Sequence, residues 1–117
     1  MHNFRELKVW QKSIEMVKNV YQITRNFPGE EQFGLVQQLR RASVSVPSNI
    51  AEGCSRDTEK AFNNFLKMAY GSCSEVITQM IISEELLFVD DNESSTIIIH
   101  VEEIQKMLRA LINRNKS

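Results

Sequence analysis

Residues 59–87 read EKAFNNFLKMAYGSCSEVITQMIISEELL and contain the longest regular pattern in the chain. Apolar or small residues recur there at alternating steps of four and three, which places their side chains on one face of an α-helix. The pattern continues without a break for almost the whole stretch, so it predicts one long amphipathic helix with a buried stripe. The stripe consists of Phe62, Leu66, Ala69, Cys73, Val76, Met80, Ser83 and Leu87.

Small residues cluster in the middle of this predicted helix, at Ala69, Gly71, Ser72 and Cys73. A glycine inside a helix costs about 1 kcal/mol relative to alanine. A close crossing of two helices, where a side chain would collide, would explain its presence. The pattern therefore predicts a close helix contact at Gly71.

Three further segments carry the same spacing. The first spans about residues 4–25 and ends at Phe27-Pro28-Gly29, because the residue before proline is steered out of the helical region. The others cover about residues 30–53 and 92–112. Their predicted core stripes are Leu7, Trp10, Ile14, Val17 and Tyr21 in the first, Leu35, Leu39, Ala42, Val46 and Ile50 in the second, and Ile97, Val101, Ile104, Leu108 and Leu111 in the last. In the first segment, Val9, Met16, Val20 and Ile23 widen the stripe on its flanks.

These four segments predict an all-α fold, an up-and-down antiparallel four-helix bundle that forms one domain over residues 1–117. Pro47 lies inside the second helix, where it removes a backbone donor, so we expect a kink there. The run Ile97-Ile98-Ile99 is also typical of a strand, but the continuing stripe favours a helix. With only 4 Gly and 2 Pro, the chain has too few turn residues for an all-β fold.

Composition narrows the classes of function. No apolar run is long enough to span a bilayer, and the N-terminus does not resemble a signal peptide, so we expect a cytoplasmic protein without membrane contact. Cys54 and Cys73 are expected to be small core residues rather than a disulfide or metal site. His2 and His100 are the only histidines, and neither belongs to a Glu-x-x-His pair. The sequence therefore predicts no metal, no cofactor and no enzymatic activity.

Charge is distributed unevenly along the chain. Residues 1–67 carry 10 Lys/Arg against 7 Asp/Glu, and residues 68–117 carry 4 against 8. This split indicates two surfaces of opposite sign. Solvated helix faces without further meaning are the alternative explanation.

Several polar residues flank the predicted core stripes. We expect a structural polar network, with Arg41 paired to an acid, although a binding site at an interface is the alternative. Arg40 should then lie nearer solvent and form a phosphate-binding patch with Arg56 and Lys60. Other basic candidates are Lys106, Arg109, Arg114 and Lys116. The predicted network consists of Arg41, Asn49, Glu52, Ser72 and Glu75.

Three stretches resemble a known family, the 23S rRNA intervening-sequence proteins, which are also called S23 ribosomal proteins. They are residues 4–11, FRELKVWQ, residues 38–53, QLRRASVSVPSNIAEG, and residues 65–75, FLKMAYGSCSE. The resemblance implies a four-helix bundle that forms a homopentameric ring, without catalytic residues. A related group serves as accessory proteins of diversity-generating retroelements, in which basic pentamers bind nucleic acid. This chain departs from that group because its net charge is −1.

The resemblance therefore predicts a homo-oligomer, a pentamer by analogy with the family, that binds RNA or a nucleoprotein partner. In a ring, each contact joins two different surfaces of neighbouring copies, and a chain with two surfaces of opposite sign suits such contacts. The alternative is a protein–protein scaffold without affinity for nucleic acid, which agrees with the sequence pI of about 6.1.

Overall fold

The computed structural model describes residues 3–115, which form four long helices and contain no strand. The helices pack in ring order, each against two others, and the described part of the chain measures 45 × 23 × 20 Å. The predicted all-α four-helix bundle is therefore confirmed. Short 3-10 turns precede the first two helices at Phe4–Glu6 and Gly29–Glu31, and the helices are α1 (Lys8–Thr24), α2 (Leu35–Cys54), α3 (Glu59–Glu85) and α4 (Asp91–Asn115).

Side-chain caps fix where the later helices begin. The Thr58 hydroxyl accepts a hydrogen bond from the Ala61 backbone N–H at 3.1 Å, and an Asp90 carboxylate oxygen accepts one from the Glu93 backbone N–H at 2.8 Å. Such caps satisfy backbone donors that have no partner inside the helix. The turns between these helices, residues 55–58 and 86–90, are short, so consecutive helices run antiparallel.

The core stripes predicted for α2 and α4 are buried throughout. The α3 stripe is buried from Phe62 to Ser83, but Leu87 is 88 % exposed and lies beyond the end of the helix. Its φ of 63° places it in the left-handed region, where glycine is the usual residue after a helix. The N–H of Leu87 bonds to the Glu84 carbonyl and that of Phe88 to the Ser83 carbonyl, so the helix ends at Glu85, two residues earlier than predicted.

The centre of the core stripe predicted for α1 was wrong, because its flanking residues Val9, Met16 and Val20 are buried instead. The buried positions are Val9, Ser13, Met16, Val20 and Thr24, whereas the predicted stripe is half-buried at four positions and exposed at Tyr21. Two hydroxyl residues belong to the buried stripe because each hydroxyl donates a hydrogen bond to a backbone carbonyl of the same helix. Ser13 donates to the Trp10 carbonyl at 2.6 Å, and Thr24 donates to the Val20 carbonyl at 2.8 Å. Trp10 instead lies at the edge of the core, where its ring packs edge-on against Phe4 at 5.3 Å.

The close helix contact occurs at Gly53 and not at Gly71. A Cβ atom added to Gly53 would lie 2.9 Å from both Phe62 Cδ1 and Phe65 Cβ, so α2 and α3 approach too closely there for any side chain. Gly71 is exposed, and an added Cβ would have nothing within 4 Å. Pro47 is buried within α2, which continues as one helix on both sides of it; the kink at Pro47 stays a prediction.

Candidate nucleic-acid interface

Arg40 lies against α1 instead of facing open solvent. Its guanidinium carbon is 4.4 Å from the centroid of the Tyr21 ring, and its Nε donates a hydrogen bond to the Thr24 hydroxyl at 2.9 Å. Its Nη2 also donates to the Tyr21 carbonyl at 3.4 Å. The two hydrogen bonds use part of the donor fork that would otherwise recognise a phosphate.

Arg41 is exposed, so the predicted roles of the two adjacent arginines are reversed. Successive residues point about 100° apart on a helix. Because Ala42 and Ser43 face the core, Arg41 points outward and Arg40 points sideways toward α1. The prediction that Arg41 joins a buried network is wrong within one copy of the chain.

Only part of the predicted polar network comes together. The Asn49 amide donates to the Ser45 carbonyl at 2.8 Å, and the Ser45 hydroxyl donates to the hydroxyl of buried Ser72. Ser45, which was not among the predicted members, therefore connects α2 to α3; its position four residues before Asn49 was the available signal. Glu52 and Glu75 are exposed and lie outside this network.

The charge of Arg56 is already compensated. Its Nη2 lies 2.7 Å from a carboxylate oxygen of Glu52, and its guanidinium carbon is 4.7 Å from the Phe65 ring centroid. Arg40 and Arg56 are also far apart, because the fourteen residues from Arg40 to the end of α2 at Cys54 correspond to about 21 Å of helix. The structure therefore does not bring Arg40, Arg56 and Lys60 together as one patch within a single copy.

A different group of bases lines the surface between α3 and α4. The two helices are joined there by the Gln105 amide, which donates to the Ser74 hydroxyl at 2.9 Å and to the Tyr70 carbonyl at 3.3 Å. The guanidinium carbon of Arg109 lies 4.7 Å from the Tyr70 ring centroid. We call this region, with its bases Lys60, Lys67, Lys106 and Arg109, the α3–α4 basic surface.

The α3–α4 basic surface contains two shallow grooves, of about 300 and 470 Å³. Glu59 and Glu102 are the acids that line them, against four bases. Lys67 was missed at the sequence level, although it follows Lys60 by seven residues and so lies on the same side of α3. The grooves are lined by Glu59, Lys60, Asn63, Asn64, Lys67 and Asn115, and by Tyr70, Glu102, Gln105, Lys106 and Arg109.

The remaining reactive groups do not form a chemical site in the described residues. Both cysteines are buried and unpaired, and burial raises the pKa of the Cys73 thiol to about 12 and also raises the pKa of Cys54. Neither thiol is therefore ionised near neutral pH, as a nucleophile or metal ligand must be. Between residues 3 and 115, no group of His, Cys, Asp and Glu side chains could hold a metal ion. None of the helices described is long and apolar enough to cross a bilayer.

Comparison with known proteins supports one family. A protein of unknown function from the S23 ribosomal protein family of Bacteroides thetaiotaomicron has a similar solved structure, with a TM-score of 0.80 at 22% identity, over 89% of this chain and 97% of that one. No protein of curated function matches the chain. The family model for the 23S rRNA-intervening sequence protein matches residues 5–110. Because this match spans most of the four-helix bundle, the chain belongs to the 23S rRNA-intervening sequence protein family.

Proposed function

We propose that this protein is a non-enzymatic, oligomeric RNA-binding protein whose α3–α4 basic surface contacts the phosphate backbone. The observation that carries the proposal is the alignment of Lys60, Lys67, Lys106 and Arg109 along one helix pair, two of them beside each groove. Affinity for RNA comes largely from such contacts between bases and phosphates.

The geometry of Arg109 suits phosphate. Its guanidinium carbon lies 4.7 Å from the centroid of the Tyr70 ring, and this contact holds the positive charge beside the groove, where the donor fork of an arginine can bind phosphate oxygens. The stacked arginine also covers one face of Tyr70, which removes that ring face as a platform for bases. The surface is therefore suited to the backbone of RNA, with little discrimination among sequences.

The net charge of −1 conceals a separation of charge along the bundle. The α1–α2 and α3–α4 turns lie at the same end, where the rings of Phe27 and Phe88 are 5.8 Å apart. Residues 25–34 and 82–94, which form that end, carry seven acids and one base. The α3–α4 basic surface includes the start of α3 and the second half of α4, away from these acids, so the acidic end does not oppose RNA binding there.

The first test concerns assembly. We expect light scattering of the purified protein to give a mass several times 13.5 kDa, with the pentamer of the family as the specific expectation. Repetition of a weak basic surface around an oligomer raises the overall affinity for a long RNA through avidity. A monomeric mass at micromolar concentration would contradict the oligomer.

The second test concerns RNA. We expect the triple variant Lys60→Glu, Lys67→Glu and Arg109→Glu to lose binding of a labelled single-stranded RNA in low-salt buffer. Loss of three phosphate contacts should also reduce the slope of log affinity against log salt by about 2 per bound copy. The measurement is fluorescence anisotropy as a function of salt, with helical content and oligomer mass checked for each protein.

A matched control makes the same change of charge elsewhere. Lys8, Lys18 and Arg25 are exposed on or beside α1, so the triple variant Lys8→Glu, Lys18→Glu and Arg25→Glu should retain most of the RNA affinity. Equal loss in both triple variants would show that only net charge matters and would remove the α3–α4 basic surface as the site.

The second candidate function is a protein–protein scaffold without affinity for nucleic acid, which the slightly acidic pI of about 6.1 favours. The salt titration of the wild-type protein separates the two functions. If RNA binding is absent in low salt, or does not weaken as salt rises, the scaffold replaces the RNA-binding function.

A further inference from the structure

A basic, partly apolar groove lies between the outer sides of α1 and α2. Its volume is about 620 Å³, and Phe33, Val44 and Tyr21 in its wall are 88%, 39% and 37% exposed. Two arginines line it, Arg40 and Arg41, and none of its lining residues is an acid. We call it the α1–α2 groove; its lining residues are Tyr21, Gln32, Phe33, Val36, Gln37, Arg40, Arg41, Val44, Ser45 and Ser48.

An acidic, partly apolar stripe runs along the outside of α3. We call Met68, Glu75, Ile82 and Leu86 the α3 stripe; the first three follow at intervals of seven residues and Leu86 comes one turn later, so all four share one side of the helix. Met68, Ile82 and Leu86 are 54%, 43% and 54% exposed. Glu75 is exposed too, and the sequence contains no Lys or Arg from Met68 through Gln105.

The groove and the stripe occupy neighbouring faces of the bundle. Arg40 contacts Tyr21 and Thr24, which places the groove on the side of α2 that faces α1. Ser45, which also lines the groove, donates a hydrogen bond to Ser72 of α3, so the groove extends across the outer side of α2 as far as its contact with α3. The α3 stripe lies beyond that contact, on the outer surface of α3, so a single copy presents a basic groove and an acidic stripe that adjoin where α2 meets α3.

Both surfaces also lie at the same height along the bundle. Ser45 contacts Ser72, and α2 and α3 are antiparallel, so moving four residues back in α2 corresponds to moving four residues forward in α3. Arg41 is therefore level with Val76, next to Glu75. Rotation about an axis parallel to the helices does not change the position of a residue along that axis. In a ring whose symmetry axis runs parallel to the helices, Arg41 is therefore also level with Glu75 of the partner subunit.

We propose that the α1–α2 groove of one copy receives the α3 stripe of the next copy, with Arg41 paired to Glu75 of the partner subunit. This inference rests on the oligomer in the proposed function and names the surfaces that form it. Such a contact joins two different surfaces, so its repetition links copies head to tail, and a ring forms where the rotation between neighbouring copies closes. The α3–α4 basic surface lies on the other side of α3 from α2 and remains open to RNA.

A second copy fits these surfaces better than other occupants. RNA is disfavoured on the α3 stripe, because the stripe itself carries Glu75 and no base. The contact would place apolar residues against apolar residues and arginine against glutamate. Apolar content with few charges is typical of interfaces between permanently associated copies. Gly71, beside the stripe, has open space around it and so allows a neighbouring helix to approach.

The decisive experiment exchanges the two charges. We expect Arg41→Glu and Glu75→Arg each to raise the protein concentration needed for assembly at least tenfold in light scattering, because each places like charges together. The variant that carries both substitutions should recover assembly, since opposite charges then meet again in every contact. Circular dichroism checks that all three variants keep the helical content of the wild type.

Matched variants separate this contact from a general effect of charge or apolarity. Lys18→Glu and Glu93→Arg change exposed charges on α1 and α4 and should leave the mass unchanged. Ile82→Ser should weaken assembly, whereas Ile99→Ser, at an exposed isoleucine of α4, should not.

The outcomes distinguish this inference from the oligomer on which it depends. If the wild-type protein assembles and the variants assemble equally well, the proposed contact is wrong and the oligomer stands. The variants are Arg41→Glu, Glu75→Arg and Ile82→Ser. Failure of the double charge exchange to recover assembly would overturn the pairing of Arg41 with Glu75. A monomeric wild type would overturn both the oligomer and the contact.

Discussion

Replacing Gly53 by alanine should lower the free energy of unfolding by about 2–3 kcal/mol, because overpacking a tight contact typically costs that much. The new methyl group would lie 2.9 Å from Phe65 Cβ and 3.2 Å from the Phe62 carbonyl oxygen. Neither atom is at the end of a flexible side chain, so α2 and α3 must move apart. Chemical denaturation monitored by circular dichroism measures the change.

Gly71 provides the matched control, because the same substitution there meets no neighbouring atom. Alanine is favoured over glycine inside a helix, so Gly71→Ala should raise the free energy of unfolding by up to about 1 kcal/mol. If the two variants were equally destabilised, the close approach of α2 and α3 at Gly53 would be wrong.

The two glycines show what sequence spacing can and cannot predict. Gly71 lies in the middle of a regular helical pattern, where a glycine lowers helix stability. A close helix contact at Gly71 was the predicted explanation of this cost. Gly53 is the next-to-last residue of α2, where a glycine is expected as a stop signal whatever it touches. Its contact with Phe62 and Phe65 depends on how α2 and α3 cross. The spacing of residues along a single helix carries no information on that crossing.

The register of α1 failed for a related reason. Apolar residues occur on more than half of its circumference, so two stripes fit the spacing about equally well. The stripe with the aromatic residues Trp10 and Tyr21 is the more hydrophobic, but the buried one includes Ser13 and Thr24. Hydroxyl groups that donate hydrogen bonds to carbonyls of their own helix can be buried at little cost in free energy. A hydrophobic pattern counts serine and threonine as polar, so it does not place them in the core.

The candidate sites were predictable only in part, because their geometry involves residues from separate helices. The sequence identified Lys60, Lys106 and Arg109 as basic candidates, but it could not show that α3 and α4 bring them to one surface. It also indicated that Arg40 and Arg41 point in different directions, as they do. Which arginine faces inward depended on Tyr21, nineteen residues earlier in the chain, whose ring holds Arg40 against α1.

The three consecutive isoleucines of α4 should differ sharply in their contribution to stability. Ile97 is 2% exposed and Ile99 is 63% exposed, while Ile98 is partly buried against the core. Truncation of a buried isoleucine to alanine typically costs about 2–5 kcal/mol. We therefore expect Ile97→Ala to lower the free energy of unfolding by about that amount in chemical denaturation.

Ile99→Ala should change the free energy of unfolding by no more than about 0.5 kcal/mol, because surface substitutions away from special contacts have small effects. Alanine is also the better helix former, which offsets the small loss of contact. In a strand, side chains two residues apart point to the same face, so Ile97 and Ile99 would behave alike and differ from Ile98. On a helix they point about 200° apart. Equal losses for Ile97→Ala and Ile99→Ala would therefore contradict the helical register of α4, and with it the placement of Lys106 and Arg109 beside α3.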